Sequence, residues 1–224
     1  TSVTYTLPAA AAASIAVTSA LTMTNGGVND YTATTAVDRN YLSIATNTTV
    51  TADAEGWATG AIVSPILPVS AQTIPNGGRI ADITDGLSNT MMIGELAGRN
   101  DLYYRGNKRQ APSATPAPAP PTSEADWAQY TGGGAWADPF NGVCEIAGRA
   151  VNGTGNSGPC AINCSNSRAR AGRLQEGAGL YSWHTGGAHC LLGDGSVRFL
   201  GENIAASTLA SLVTRATGDI VGEF

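Results

Sequence analysis

The sequence predicts an α+β fold, mainly antiparallel β with long loops and a short C-terminal helix, and three observations carry that prediction. First, Ala188 to Gly193 and Ser196 to Leu200 alternate on either side of Asp194-Gly195. Asp-Gly between such runs is the strongest short-range hairpin signal, because both residues tolerate positive φ. Second, charged residues make up only 13% of the 224-residue chain, while Gly, Ala, Ser, Thr and Asn dominate, a composition suited to strands and loops rather than to charge-laced helices. Third, Ser207 to Ala216 carries Leu209, Leu212 and Val213 at helical spacing, with Ser207 as candidate cap and Gly218 as stop.

The remaining elements follow in chain order. Thr1 to Leu7 alternates, with Thr1, Val3, Tyr5 and Leu7 on one side and Ser2, Thr4 and Thr6 on the other, which predicts a strand ending at Pro8. Ala9 to Ala13 has helical propensity and Ser14 to Met23 is rich in Val, Ile and Thr, so a short Ala-rich turn should lead into a strand. Asn25-Gly26-Gly27 is a turn. Tyr31 to Val50 scatters Asp, Asn and Thr among single apolar residues, with a break at Asn47, and reads as irregular, half-exposed structure. Ala61 to Leu67 reads as a short buried strand whose surroundings are held to an edge or loop by Pro65, Pro68 and Pro75. Asn76-Gly77-Gly78 turns the chain into a polar loop, Asp82 to Asn89, that feeds the apolar run Thr90 to Ile93. Ala111 to Pro121 is a proline run that favours polyproline II and cannot join a central sheet. It is read as an insertion loop within one domain, residues 1–224. Gly132 to Gly134 and Asn152 to Gly158 are further loops.

Charge and cysteine content narrow the classes of partner. A net charge of −5, with Lys108 the only lysine, provides no basic stripe for phosphates or anionic lipid, which argues against nucleic acid and acidic membrane. No run of about 18 apolar residues is present and no leader with a basic n-region is visible. The four cysteines, Cys144, Cys160, Cys164 and Cys190, lack C-x2-C zinc spacing and permit three pairings if all are oxidised. Disulfides are the better reading. Cys160 and Cys164 are close enough to staple a small loop, which would leave Cys144 for Cys190.

Candidate chemistry is sparse. His184, Asp194 and Ser196 invite a triad, but no G-x-S-x-G elbow occurs and Asp194 occupies a tight turn. The expected role of His184 is structural, a satisfied core histidine bonding backbone at the base of the hairpin and fixing where Trp183 packs. His184 and His189 are the only histidines, and their spacing in a bent or β context is not expected to aim both rings at one ion; with Asp194 they could make a partial site at best. Asp82, Thr84, Asp85, Ser88 and Asn89 put five oxygen-bearing side chains into eight residues. Such residues bond nearby backbone in turns, and the alternative is a Ca²⁺ site formed by Asp82, Asp85, Ser88 and Asn89. Asp82, Asp85 and Glu95 are the carboxylates available for acid/base work, with no cleft readable around them. No Walker loop or dinucleotide fingerprint occurs.

His184, nine intervening residues and Asp194-Gly195 form a spacing that resembles the H-X9-DG signature of the DUF1559 family, prepilin-like surface proteins abundant in planctomycete bacteria. Gly186 and Gly187 turn the chain between that histidine and the first hairpin strand. IADITDGLSNTMMIGE, Ile80 to Glu95, is similar to a recurring segment of the same family, as are GPCAINCSN, Gly158 to Asn166, and RATGDIVGEF, Arg215 to Phe224. The likeness covers roughly residues 28–224. Family members normally begin with a prepilin leader, a long apolar helix and a Cys-Pro-Ser region, so this chain is read as the globular part alone. The resemblance implies an extracellular, pseudopilin-like or surface-filament subunit that associates with copies of itself and is not an enzyme. The alternative is a secreted binding module for glycan, small solute or Ca²⁺, using the polar loop and the aromatic residues near Trp127 to Trp136.

Overall fold

The computed structural model describes residues 2–5, 21–24, 30–46, 57–61, 78–99, 101–110, 144–152, 158–166, 179–218, 221 and 224. In chain order its strands are β1 (Ser2–Tyr5), β2 (Leu21–Thr24), β3 (Tyr31–Asp38), β4 (Trp57–Thr59), β5 (Met91–Glu95), β6 (Leu102–Tyr104), β7 (Lys108–Gln110), β8 (Cys144–Ile146), β9 (Gly187–Leu192) and β10 (Val197–Gly201). Two α-helices, α1 (Arg39–Thr46) and α2 (Ala206–Val213), and two 3₁₀ turns, Ile80–Asp82 and Leu87–Asn89, complete the described elements. Six strands form the main sheet in the order β10-β9-β5-β3-β4, with β8 parallel to β3 and the other pairs antiparallel. The α+β, mainly antiparallel class predicted from sequence is the class observed.

β3 overturns the reading of Tyr31 to Val50 as irregular. Thr32, Thr34, Ala36 and Val37 are all buried, so what looked like polar scatter is a strand of small and β-branched residues that suit a pleated, closely packed surface. Close packing is enforced next door, where a Cβ added at Gly94 would collide with Leu180 and crowd Thr34. Asp38 ends the strand and starts α1, its Oδ1 accepting the Tyr41 N–H at 3.3 Å, as an N-cap does. Tyr41 is buried, and its hydroxyl is pushed far above the usual tyrosine range by burial.

The predicted hairpin is present, with a different turn. Leu191 pairs with Val197, the Leu192 N–H donates to the Ser196 carbonyl, and the Gly195 N–H donates to the Leu192 carbonyl. The loop is therefore three residues long, and only Gly195, at φ 88°, has positive φ, the pattern of a type I turn closed by a left-handed residue. Asp194 instead accepts the Ser196 N–H at 2.9 Å and its hydroxyl at 2.7 Å, which holds its carboxyl below the usual range.

Other boundaries move. α2 buries Leu209, Ala210, Leu212 and Val213 as expected, but its N-cap is Ala205 with no side-chain bond, so Ser207 lies inside the helix. It stops where Thr214 turns extended, ahead of Gly218. β1 falls within the predicted N-terminal strand and pairs with β2 in a two-stranded sheet of its own. β4 precedes the strand expected at Ala61 to Leu67; Ala61 is a buried bend, and residues 62–67 lie outside the described residues. So do the proline run at 111–121 and the Trp127 to Trp136 stretch. β6 and β7, joined through Gly106 and Asn107 at positive φ, were not anticipated.

The core gathers Val37, Tyr41, Met91, Ile146, Leu180, Tyr181, Cys190, Leu192, Leu200 and the apolar face of α2. Cys160 and Cys164 form a disulfide, while Cys144 and Cys190 are buried thiols. The pairing expected between the latter two is therefore wrong. Cys144 stands on β8, which pairs with β3, and Cys190 on β9, which pairs with β5 and β10. β8 and β9 do not pair, and neither cysteine is bonded to the other.

Candidate functional site

Beyond Gly94 the sheet opens. β5 and β9 pair through Gly94 and Cys190, but one residue later the Glu95 carbonyl accepts the N–H of Tyr181 instead, as the chain around Leu180 to Ser182 wedges in beside β5. The His189 N–H on β9 would lose its partner there. Glu95 replaces it with its own side chain, Oε2 accepting that N–H at 2.8 Å. This bond also lets a carboxylate whose side chain is only 6% exposed sit inside the fold, since an unpartnered buried charge is prohibitively costly.

Two imidazoles close over the same carboxylate. His189 Nδ1 lies 3.4 Å from Glu95 Oε2, and His184 Nε2 lies 3.4 Å from Oε1. The rings meet edge to face at 4.7 Å, and Phe199, the partner of His189 across the hairpin, packs against His189 at 5.0 Å. Tyr31 pairs with Glu95 on the other side. Tyr31, Glu95, His189 and Phe199 thus form a row across β3, β5, β9 and β10. The Tyr31 hydroxyl is raised above its ordinary range by burial and then by the charges of Glu95 and Asp30.

The loop that carries His184 is fixed by its neighbours. The Ser182 hydroxyl donates to the Gly187 carbonyl at 2.5 Å and accepts the His184 N–H at 3.0 Å. Asn163, at φ 57°, donates its amide to the carbonyls of Gly187 and His184 and accepts the Ser182 N–H. Gly186, at φ 85°, lets the loop reverse so that His184 returns beside position 189. Trp183 fills the space over Gly98, edge-on to Tyr103 and Tyr181.

Two sequence readings are corrected here. His184 is not a core histidine bonding backbone: its side chain is 52% exposed and faces Glu95, because Ser182 and Asn163 already satisfy the loop. The two histidines do converge, since the glycine turn folds the chain back on itself and the sheet supplies Glu95. Asp194 and Ser196 do not join them. They sit at the hairpin tip, with the six-residue strand β9 in between, which separates the members of the tempting triad. Asn163 and Ser182 were missed as positioning residues, although Asn163 lies inside the Gly158 to Asn166 motif.

The polar loop has other partners. Asp82 pairs with Arg79 at 2.9 Å, which lowers its pKa through that side-chain bond first. Asp85 accepts the N–H groups of Thr217 and Gly218 at 2.9 and 2.8 Å, and the Asn89 amide donates to the Asp85 carbonyl. Ser88 is exposed. The carbonyls of Leu87 and Thr90 receive the N–H groups of Asp194 and Gly193. Asp82 and Asn89 thus bond nearby residues, whereas Asp85 reaches the C-terminal segment and the Leu87 and Thr90 carbonyls hold the hairpin tip.

The fold and this junction define an α+β domain in which a histidine loop closes over a glutamate at the end of a central strand. A family model described as "Protein of unknown function (DUF1559)" matches residues 4–207, and the chain belongs to that family. Searches of curated proteins and of solved structures gave no match. The matched span extends further toward the N terminus than the motifs do and stops short of the Arg215 to Phe224 segment. Two family-like motifs, the Gly94-Glu95 end of one and His184 of the other, meet in space at the carboxylate.

Proposed function

We propose that this chain forms an extracellular, pseudopilin-like structural subunit that works by associating with copies of itself, without enzymatic activity. The observation that carries the reading is β10. It is the outermost strand of the main sheet among the described residues, and Val197 and Phe199 on it are 63% and 46% exposed. An outer strand bearing exposed apolar side chains is a template for pairing with another chain, and proteins that stay monomeric usually blunt it. The Cys160–Cys164 disulfide supports a location outside the reducing cytosol, and the family's likeness to prepilins supports a surface role. No helix among the described residues is long and apolar enough to cross a membrane.

Sedimentation velocity and negative-stain microscopy on the purified chain test the reading. Concentration-dependent assembly should be seen and should be lost in the Val197→Lys, Phe199→Lys double variant. A wild-type chain that remains monomeric up to high concentration overturns it.

Trp183 favours a second reading, a secreted glycan-binding module. It is 46% exposed and stands on Tyr103 and Tyr181, an arrangement able to stack on a sugar ring. Quenching of its fluorescence by oligosaccharide, absent in Trp183→Ala, would select that reading.

A further inference from the structure

We propose that Glu95, His184 and His189 form a site for a divalent transition-metal ion of the zinc class, with three protein ligands and one open position. The donor set fits: two imidazoles and a carboxylate suit zinc and its first-row neighbours, whereas calcium and magnesium take oxygen alone. The buried thiol of Cys190 follows His189 on β9 and so faces the opposite side of the sheet, in the core.

The spacing fits as well. Metal bonds of about 2.0–2.2 Å at tetrahedral angles place ligand atoms roughly 3.3–3.6 Å apart. Each imidazole lies 3.4 Å from a carboxylate oxygen, His184 Nε2 from Oε1 and His189 Nδ1 from Oε2, and one ligand atom from each of the three residues lies within 4.8 Å of the others. A charge-assisted hydrogen bond between imidazole and carboxylate would draw the atoms to about 2.7–2.9 Å. Both histidines stand farther off than that, so neither imidazole is engaged in a short ion-paired hydrogen bond with the carboxylate.

The ligands are also held before any ion arrives. Glu95 is anchored by the His189 N–H, His189 is fixed on a strand against Phe199, and the His184 loop is clamped by Ser182 and Asn163. Such support keeps ligands aimed and raises affinity. The half-exposed His184 gives the site access to solvent, leaving the remaining position for water or for a donor from a bound molecule.

The test uses the full chain, stripped of metal with a chelator and kept free of thiol reductants, titrated with zinc against a chromophoric competitor. One equivalent should bind, and thermal unfolding should shift upward with zinc. His184→Gln and His189→Gln should each weaken binding by about 10–100-fold or more, the range that loss of even a supporting group causes. His184→Gln is the decisive variant, because its ring is half exposed and the loop backbone is held by other residues, so the fold survives. Cobalt substitution should give the visible absorption of a four-coordinate site in the wild type and not in this variant. No saturable binding by the wild type overturns the proposal, as does binding unchanged in His184→Gln. Binding that persists in both histidine variants but vanishes in a Cys144→Ala, Cys190→Ala chain would assign the ion to the thiols and overturn it equally.

Discussion

At the scale of single residues, the side chains that matter most bond backbone across long sequence distances. Asn166 is fully buried. Its Oδ1 accepts the Tyr103 N–H at 2.8 Å, and its Nδ2 donates to the carbonyls of Ala97 and Asp101, both at 3.0 Å. Asn166→Ala strands all three backbone groups, so it should cost at least about 1–3 kcal/mol, read from the urea midpoint at unchanged m-value. His184→Ala should cost much less, under about 1 kcal/mol, since the half-exposed ring satisfies no backbone group. Burial pushes the Cys190 thiol from 9.0 up to about 11. As pH rises the unfolded chain therefore loses this proton first. That contribution to stability is intact below about pH 9 and is lost as pH climbs toward 11. A series of urea midpoints across that window should decline, and Cys190→Ala should flatten part of the decline.

At the scale of elements, local signals were legible and non-local ones were not. The hairpin was readable because Asp194-Gly195 and its flanking alternation lie within a few residues; only the loop length was missed, since Asp194 spends its side chain on Ser196 rather than adopting positive φ. α2 was readable from Leu209, Leu212 and Val213. β3 was not, because Thr32 and Thr34 are polar by composition and are buried only by what packs around them. The site was illegible for the same reason: Glu95 and His189 are 94 positions apart in sequence, and no periodicity connects them. Ser182 tests how the loop element is held. Ser182→Ala removes one hydroxyl that serves both Gly187 and His184, so stability should fall by about 1–2 kcal/mol. Zinc affinity should fall too while His184 remains in place. Full affinity in a destabilised Ser182→Ala chain would show that the clamp does not position the histidine.

At the scale of the whole molecule, the question is which surface carries association. The self-association proposed above could run through either of two strands among the described residues, β1 or β10. β1 could be donated to a neighbour's sheet edge, but it is already paired within its own chain, Val3 with Met23 and Tyr5 with Leu21 on β2. β10 is the outermost strand of the main sheet among the described residues and carries exposed apolar side chains. Deleting residues 1–7 should accordingly leave assembly intact, because neither β1 nor β2 pairs with any strand of the six-stranded sheet. The Val197→Lys, Phe199→Lys chain should be a folded monomer, as inward-facing Ala188, Cys190 and Leu200 keep the hairpin anchored in the core. Light scattering on the two variants side by side separates the routes. A deletion that yields a folded monomer while the β10 variant still assembles would move the interface to β1 and discard the β10 edge.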